Sequence, residues 1–324
     1  MRIHIQNDPT DPVFEITQAQ WSAAAARNNA PAHTATFGET AEDFTTHIAD
    51  ADIVIAQVFN LAGRFPCHAP NLKMIFCMSA GMDKLQPFSA LPQGAVLVNN
   101  SGVHARKAGE YVAMAGLMLT AALPDMIANQ HARRWSQVFR PSIRGRHATI
   151  VGTGDMGAAA SRTLRALGVH TTGIRARALP NPDFDETHTA DSLDAVLPRT
   201  HLLVLTAPLT EATNNLITRA RLKLLPQGAG VINIGRGGVI DQDALCDLLD
   251  HGHLGGAVID VFTHEPIPET HRLWTTKNLV ITPHVSVDDP NTYNPDSLDI
   301  FYRNLKAWQN NATLPNGVDL TRGY

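Results

Sequence analysis

Three side chains of complementary chemistry stand just past apolar runs in the second half of the chain. Val231–Ile234 runs into Gly235-Arg236-Gly237-Gly238, and Ala257–Ile259 into Asp260 and, five residues on, Glu265. Leu279–Ile281 runs into Thr282-Pro283-His284-Val285-Ser286. A guanidinium held between glycines offers a fixed two-pronged donor to a carboxylate. A Glu and a His at neighbouring strand ends can form a carboxylate–imidazole pair, which orients the ring and favours its protonated form for general acid–base work. The bland alternatives are a surface arginine in a flexible turn and a satisfied structural histidine. Position favours chemistry, because open α/β sheets bind ligands beyond the carboxyl ends of their strands.

A second constellation lies upstream in Thr149-Ile150-Val151-Gly152-Thr153-Gly154-Asp155-Met156-Gly157. An apolar strand precedes it and an amphipathic helix, Ala158–Leu167, follows. In such a turn one glycine tightens the chain, a second lets backbone approach a pyrophosphate, and a third lets the helix pack on the strand. An acidic residue about 20 positions on would receive the ribose hydroxyls of NAD. Here Arg175 stands 18 residues past Gly157, Arg177 follows, and the next carboxylate is Asp183. A guanidinium pairs with a 2′-phosphate where a carboxylate would repel it, so the expected cofactor is NADP(H), with NAD(H) the alternative. Two solvated loop arginines are the competing structural reading.

Positioning these groups requires a doubly wound sheet. After the glycine turn, strands recur near Val169–Ile174, His201–Thr206, Gly230–Ile234, Ala257–Asp260 and Leu279–Thr282, with helices at Ser192–Leu197, Thr218–Leu225 and Asp241–His251. Before the turn, Ile3–Ile5, Ile53–Ala56, Met74–Cys77 and Val96–Val98 alternate with helical segments such as Thr17–Asn28. Strand–helix alternation implies parallel sheets covered by helices. Two helices connect the halves, Lys107–Ala122, ended by Pro124, and Asp125–Gln137; a last helix spans Asn291–Asn311 with Phe301, Leu305 and Trp308 on one face. The expected class is α/β, with two doubly wound parallel-sheet domains, the first flavodoxin-like and the second a Rossmann cofactor domain, and a cleft between them.

Composition removes other classes. The chain of 324 residues is 44% apolar and 17% charged, enough for a substantial core. A net charge of -4 argues against a dedicated nucleic-acid binder. Cys67, Cys77 and Cys246 form no zinc-type pairing and read as buried thiols of a reducing compartment. No run approaches the roughly 18 apolar residues of a membrane span, and the N-terminus lacks a signal-peptide pattern, so a soluble cytoplasmic protein is expected. His251-x-His253 reads as a solvated loop, no metal is expected, and Ser79 lacks a nucleophile-elbow context.

Together these segments resemble the D-isomer-specific 2-hydroxyacid dehydrogenases. The resemblance rests on Thr149–Gly157, Val231–Asp241 (VINIGRGGVID), Val258–Pro266 (VIDVFTHEP) and Ile281–Ser286 (ITPHVS), with Ala207-Pro208-Leu209-Thr210, Thr213 and Gly102–Tyr111 as linking pieces. It implies that Arg236 holds the substrate's carboxylate and carbonyl oxygen, that His284 is the proton donor, and that Glu265 holds His284 protonated and oriented. Met78–Asp83 is similar to the family's substrate loop, implying that Ser79, Ala80 and Gly81 receive the carboxylate. Implied cofactor contacts are Gly152, Gly154, Asp155, Met156, Gly157, Arg175, Arg177, Thr206, Ala207, Pro208, Thr213, Ile234, Gly235, Asp260 and His284. The substrate domain would comprise residues 1–98 and 286–324 and the cofactor domain 99–285, and the helices within 107–145 imply a homodimer. Arg175, Arg177 and the C-terminal Arg322-Gly323-Tyr324 are most similar to the glyoxylate/hydroxypyruvate reductase branch. Ser286–Pro290 departs from the small-residue run usual after the histidine, and Gln57 and Phe59 are candidates for tuning side-chain size. Phosphoglycerate, D-lactate-type or formate dehydrogenases, and a dinucleotide-sensing binding protein, are the rival readings.

Overall fold

The apolar runs become parallel strands covered on both faces, which is why they read as continuous rather than alternating. The computed structural model describes residues 1–177 and 179–321. It divides into two compact units, one of Met1–Val103 with the stretch from Asp289 onward, the other His104–Asp288.

The first unit carries β1 (Arg2–Gln6), β2 (Thr34–Gly38), β3 (Ile53–Ala56), β4 (Met74–Cys77) and β5 (Val96–Val98) in one parallel sheet, ordered β2-β1-β3-β4-β5. That is the flavodoxin-like order. Alternate residues serve opposite faces: Ile3, Ile5, Ile53, Ile55, Met74 and Phe76 join one core layer, while Val54, Ala56, Ile75 and Cys77 join the other. Helices α1 (Gln18–Arg27), α2 (Ala41–Ile48) and α3 (Val58–Leu61) intervene. Capping boxes start the first two, Thr17 with Gln20 and Thr40 with Asp43. The C-terminal helix, Tyr293–Gln309, returns to this unit and packs Phe301 and Tyr302 against Trp21 of α1.

In the second unit, β6 (His147–Val151), β7 (His170–Arg175), β8 (Glu186–Thr189), β9 (Leu202–Leu205), β10 (Gly230–Asn233), β11 (Gly256–Ile259) and β12 (Leu279–Ile281) form a parallel sheet in the order β12-β11-β10-β9-β6-β7-β8. This is the dinucleotide-binding order, with its switch point between β6 and β9. Here too the faces alternate. Ile150, Val204, Ile232 and Val258 pack under α4 (Ala105–Thr120) and α6 (Asp155–Ala166). Val151, Leu203, Val231 and Ile259 pack under α7 (Leu193–Val196), α8 (Arg219–Leu224) and α9 (Gln242–Asp250).

The linking helices differ from expectation. Helix α5 (Leu123–His131) stops six residues short of Gln137, because Arg133 adopts a left-handed φ of 53° and the Arg134 N–H turns back to the Asn129 carbonyl at 2.8 Å. Pro124 does not end the preceding helix. It sits in the first turn of α5, where a missing N–H costs nothing, after a break at Ala122. The sequence reading also lacks β2 and β8, whose residues are only partly buried at the sheet edges.

Candidate active site

The glycine turn joins β6 to α6 at the switch point. Gly152 has φ +100°, and a Cβ there would stand 2.8 Å from the Ala207 nitrogen and 2.9 Å from the Thr206 Oγ1. On Gly157 a Cβ would lie 1.9 Å from the Gly152 carbonyl oxygen, so this contact between helix and strand exists only with glycine. Gly154 is the opposite case: a Cβ would meet nothing within 4 Å. Space therefore stands open before the α6 N-terminus, where the N–H groups of Asp155, Met156 and Gly157 precede the first intrahelical acceptors. The second wall is the end of β9. The Thr206 hydroxyl donates to the Gly152 carbonyl at 2.9 Å, and Gly235 packs against the Ala207 carbonyl, leaving no room for a side chain. Thr213 closes the following turn by donating to the Pro208 carbonyl at 2.6 Å. Ala207 and Ile234 are themselves buried and form the floor. An open cradle at a helix N-terminus fits a dinucleotide's pyrophosphate.

Arg175 ends β7, half-buried, with its Nη1 donating to the Leu179 carbonyl at 3.0 Å; Arg177 is exposed beyond it. Arg322-Gly323-Tyr324 lies outside the described residues.

His284 sits in a turn built around Asp260. That carboxylate, 1% exposed, accepts the Thr282 hydroxyl at 2.5 Å and the Ser286 hydroxyl at 2.6 Å. It also accepts the Val285 N–H at 3.1 Å and the Ser286 N–H at 3.2 Å. The Asp260 carbonyl receives the His284 N–H at 2.9 Å, and His284 adopts a left-handed φ of 55°. A non-glycine residue in that region is uncommon and persists where surrounding contacts fix it. Asp260, expected among the cofactor contacts, thus spends its oxygens on the turn that carries His284. The Tyr111 hydroxyl extends the network to Thr282 at 2.7 Å.

From this turn the imidazole meets Glu265. His284 Nδ1 lies 2.8 Å from Glu265 Oε2, while Oε1 accepts the Phe262 N–H at 2.7 Å. Both carboxylate oxygens are therefore placed, the ring is held at Nδ1, and among the described residues none takes Nε2. Arg236 follows β10 with its carbonyl bonded by the buried Asn233 side chain at 3.1 Å and its Nη1 on the Gly235 carbonyl at 2.8 Å. Gly237 next to it admits no Cβ, which would fall 2.1 Å from the Phe262 carbonyl carbon. The Arg236 loop is thereby pressed against the segment that leads to Glu265.

One histidine escaped the sequence reading. His104 precedes α4 with its side chain only 13% exposed, its Nδ1 3.4 Å from the Val287 carbonyl and 3.4 Å from Asp288 Oδ1. Burial pushes its pKa down to about 4, and the charges of Arg236 and His284 push the same way. Arg236, His284 and His104 thus share one electrostatic neighbourhood, with His104 neutral there at ordinary pH. Its only signal in the sequence was its place in the linking piece Gly102–Tyr111.

In the first unit, the loop Met78–Asp83 follows β4. Ser79 does not point its hydroxyl outward: it donates to Gln57 Oε1 at 2.7 Å and accepts the Val58 N–H at 3.1 Å. Phe59 is exposed, with the Lys84 ammonium 3.8 Å from its ring centre. Elsewhere, His251 is exposed and bonds the Asp247 carbonyl at the end of α9, while His253 is half-buried with Nε2 covered.

A Rossmann unit with Arg, Glu and His at successive strand ends defines a nicotinamide-nucleotide-dependent oxidoreductase. Residues 113–286 match the model of the D-isomer specific 2-hydroxyacid dehydrogenase NAD-binding domain. The chain is 30% identical over 259 residues to a glyoxylate reductase of Thermofilum pendens, covering 76% of this chain and 75% of that one. Among solved structures, a D-isomer specific 2-hydroxyacid dehydrogenase family protein of Aeromonas salmonicida aligns with a TM-score of 0.83 at 27% identity, over 98% of this chain and 99% of that one. An NADPH-dependent glyoxylate/hydroxypyruvate reductase of Sinorhizobium meliloti, in complex with NADP and sulfate, aligns over all of both chains with a TM-score of 0.82 at 25% identity. The chain belongs to the D-isomer specific 2-hydroxyacid dehydrogenase family. It is an oxidoreductase of small 2-hydroxy and 2-keto acids.

Proposed function

We propose that this enzyme reduces a small 2-keto acid of the glyoxylate or hydroxypyruvate type to the D-2-hydroxy acid with NADPH. The observation that carries the reading is the 2.8 Å contact between His284 Nδ1 and Glu265 Oε2, in the electrostatic neighbourhood of Arg236. When bound, the reduced nicotinamide supplies the hydride that goes to the ketone carbon. His284, held at Nδ1, gives the proton at Nε2 to the ketone oxygen, and Glu265 stabilises the cationic ring before transfer. Arg236 holds the substrate carboxylate and stabilises charge growing on the oxygen. In the first unit, backbone N–H groups of the 79–81 loop are suited to receive a carboxylate.

Arg175 and Arg177 support the 2′-phosphorylated cofactor, as does the NADPH dependence stated for the Sinorhizobium relative. We further propose a homodimer through residues near 107–145, where Met114, Leu117, Met126, Trp135 and Phe139 are exposed, Trp135 to 94%. Among the described residues no single helix is long and apolar enough to cross a membrane, and the cysteines are unpaired, which supports a cytoplasmic setting. The deciding experiment follows loss of reduced-cofactor absorbance with NADPH and NADH against glyoxylate, hydroxypyruvate, pyruvate and larger 2-keto acids. Oxidation of NADPH by glyoxylate or hydroxypyruvate with the highest kcat/KM is expected. A lower KM for NADH, or no oxidation with any keto acid, overturns the cofactor or the substrate reading respectively.

A further inference from the structure

The chain leaving β4 has no regular structure between Cys77 and Asp83, yet its carbonyls are individually tied down. The Met78 carbonyl accepts the Tyr293 hydroxyl at 2.5 Å and Asn100 Nδ2 at 2.7 Å. The Ser79 carbonyl accepts the Asn100 N–H at 3.2 Å, and the Ala80 carbonyl accepts Asn99 Nδ2 at 3.3 Å. The amide orientations follow from their other partners. Asn99 Oδ1 receives the Ser101 N–H at 3.1 Å, so its nitrogen faces Ala80. Ser297 donates its hydroxyl to the Tyr293 carbonyl and therefore accepts from Asn100, whose oxygen is left buried without a partner. Asn100 is wholly buried and Asn99 nearly so.

In a trans peptide the C=O and the following N–H point in opposite directions. Fixing the carbonyls of Ser79 and Ala80 toward the protein therefore turns the N–H groups of Ala80 and Gly81 away from it. Both residues are half-exposed, and among the described residues no acceptor takes either N–H. Ser79 itself is engaged through its side chain, which bonds Gln57 and the Val58 N–H. Successive outward N–H groups form an anion-receiving concavity. We propose that Asn99, Asn100 and Tyr293 are positioning residues that aim the Ala80 and Gly81 N–H groups at the substrate's carboxylate. This rests on the proposed role of the loop and narrows it from three residues to two.

A carboxylate held equally in the ground and transition states contributes to KM rather than to kcat. Asn99→Asp keeps the side chain's shape and its acceptor for Ser101 but cannot donate to the Ala80 carbonyl. Tyr293→Phe removes one of the two donors to Met78. Kinetics with glyoxylate, and oxalate titration in the presence of cofactor, read the effect. Asn99→Asp is expected to raise KM and the oxalate Kd together by about tenfold, with kcat within about threefold and the cofactor KM unchanged. Tyr293→Phe should shift both in the same direction by less, because Asn100 still holds Met78. Unchanged KM and oxalate affinity in both variants overturns the proposal, as does a loss of kcat alone. If Asn99→Asp does not fold, Asn99→Ser and Tyr293→Phe decide on the same criteria. A wild-type protein that binds oxalate but reduces no keto acid would refute the catalytic reading while the variants still test the loop. Failure to bind oxalate at all would refute the anion-receiving loop itself.

Discussion

Asp260 and Ser286 meet at the hydroxyl, at 2.6 Å, and at the Ser286 N–H, at 3.2 Å, so one buried carboxylate closes the turn that presents His284. Asp260→Asn would set an amide nitrogen against donors and leave at least one of them without an acceptor. The expected loss is about 3 kcal/mol of stability together with most of the activity, since His284 is held at a positive φ only by this turn. Thermal melts alongside kcat measurements check it. A variant with native kcat would show that the turn holds its shape without Asp260.

Glu265 and His284 are each more than a third exposed, so their pairing is a matter of orientation more than of stability. Glu265→Gln should leave the melting temperature nearly unchanged while lowering kcat by about 10²-fold, and His284→Ala should lower it further, within the range usual for loss of a general acid. Full turnover by His284→Ala would end the proposed mechanism.

Arg175 ends β7 at the tip where a ribose or its phosphate would lie. Arg175→Asp is expected to raise the KM for NADPH by about tenfold or more and to lower that for NADH, because a charge-assisted pair is replaced by repulsion. Steady-state kinetics with both cofactors measure the switch, and an unaltered NADPH-to-NADH ratio would exclude Arg175 from the 2′-phosphate site.

The folded protein holds His104 near pKa 4, against 6.5 for the free side chain. The unfolded chain therefore binds this proton more readily, and the contribution of neutral His104 is complete above pH 6.5 and lost as pH falls toward 4. The difference amounts to about 3 kcal/mol. Burial shifts His4, His147 and His201 in the same direction, so they add to acid sensitivity in that window. His104→Asn should flatten the fall in unfolding free energy between neutral pH and pH about 5, as measured by urea melts. A slope equal to that of the wild type would place the acid sensitivity in the other histidines.

What could be read from the sequence follows from how the groups are held. Arg236 and Glu265 were legible as strand-end groups because each follows a buried apolar run, and two-sided burial of a parallel strand leaves an unmistakable pattern, while His284 follows an edge strand, Leu279–Ile281, that is half-buried yet wholly apolar. Strands Thr34–Gly38 and Glu186–Thr189 were not, since edge positions relax the demand for apolar residues. His104 was hidden for another reason: its surroundings come from Val287 and Asp288, more than 180 residues away, and no local pattern reports such a contact. Asp260 was legible as a strand-end carboxylate but not as the anchor of the histidine turn, because its partners Thr282 and Ser286 lie on the next strand end.

Gly154 and Gly157 separate binding from folding within one turn. A methyl group on Gly157 would collide with the Gly152 carbonyl at 1.9 Å, so Gly157→Ala should cost about 3 kcal/mol or more as α6 is driven off β6. Gly154 has an ordinary φ of -73° and open space before it, so Gly154→Ala should melt like the wild type. Its methyl group would instead occupy the approach to the helix N-terminus, and the Kd for NADPH should rise by about tenfold or more. Fluorescence titration with NADPH and calorimetric melts of the two variants check both halves. Equal cofactor affinity in Gly154→Ala and wild type would show that the pyrophosphate does not lie against this turn.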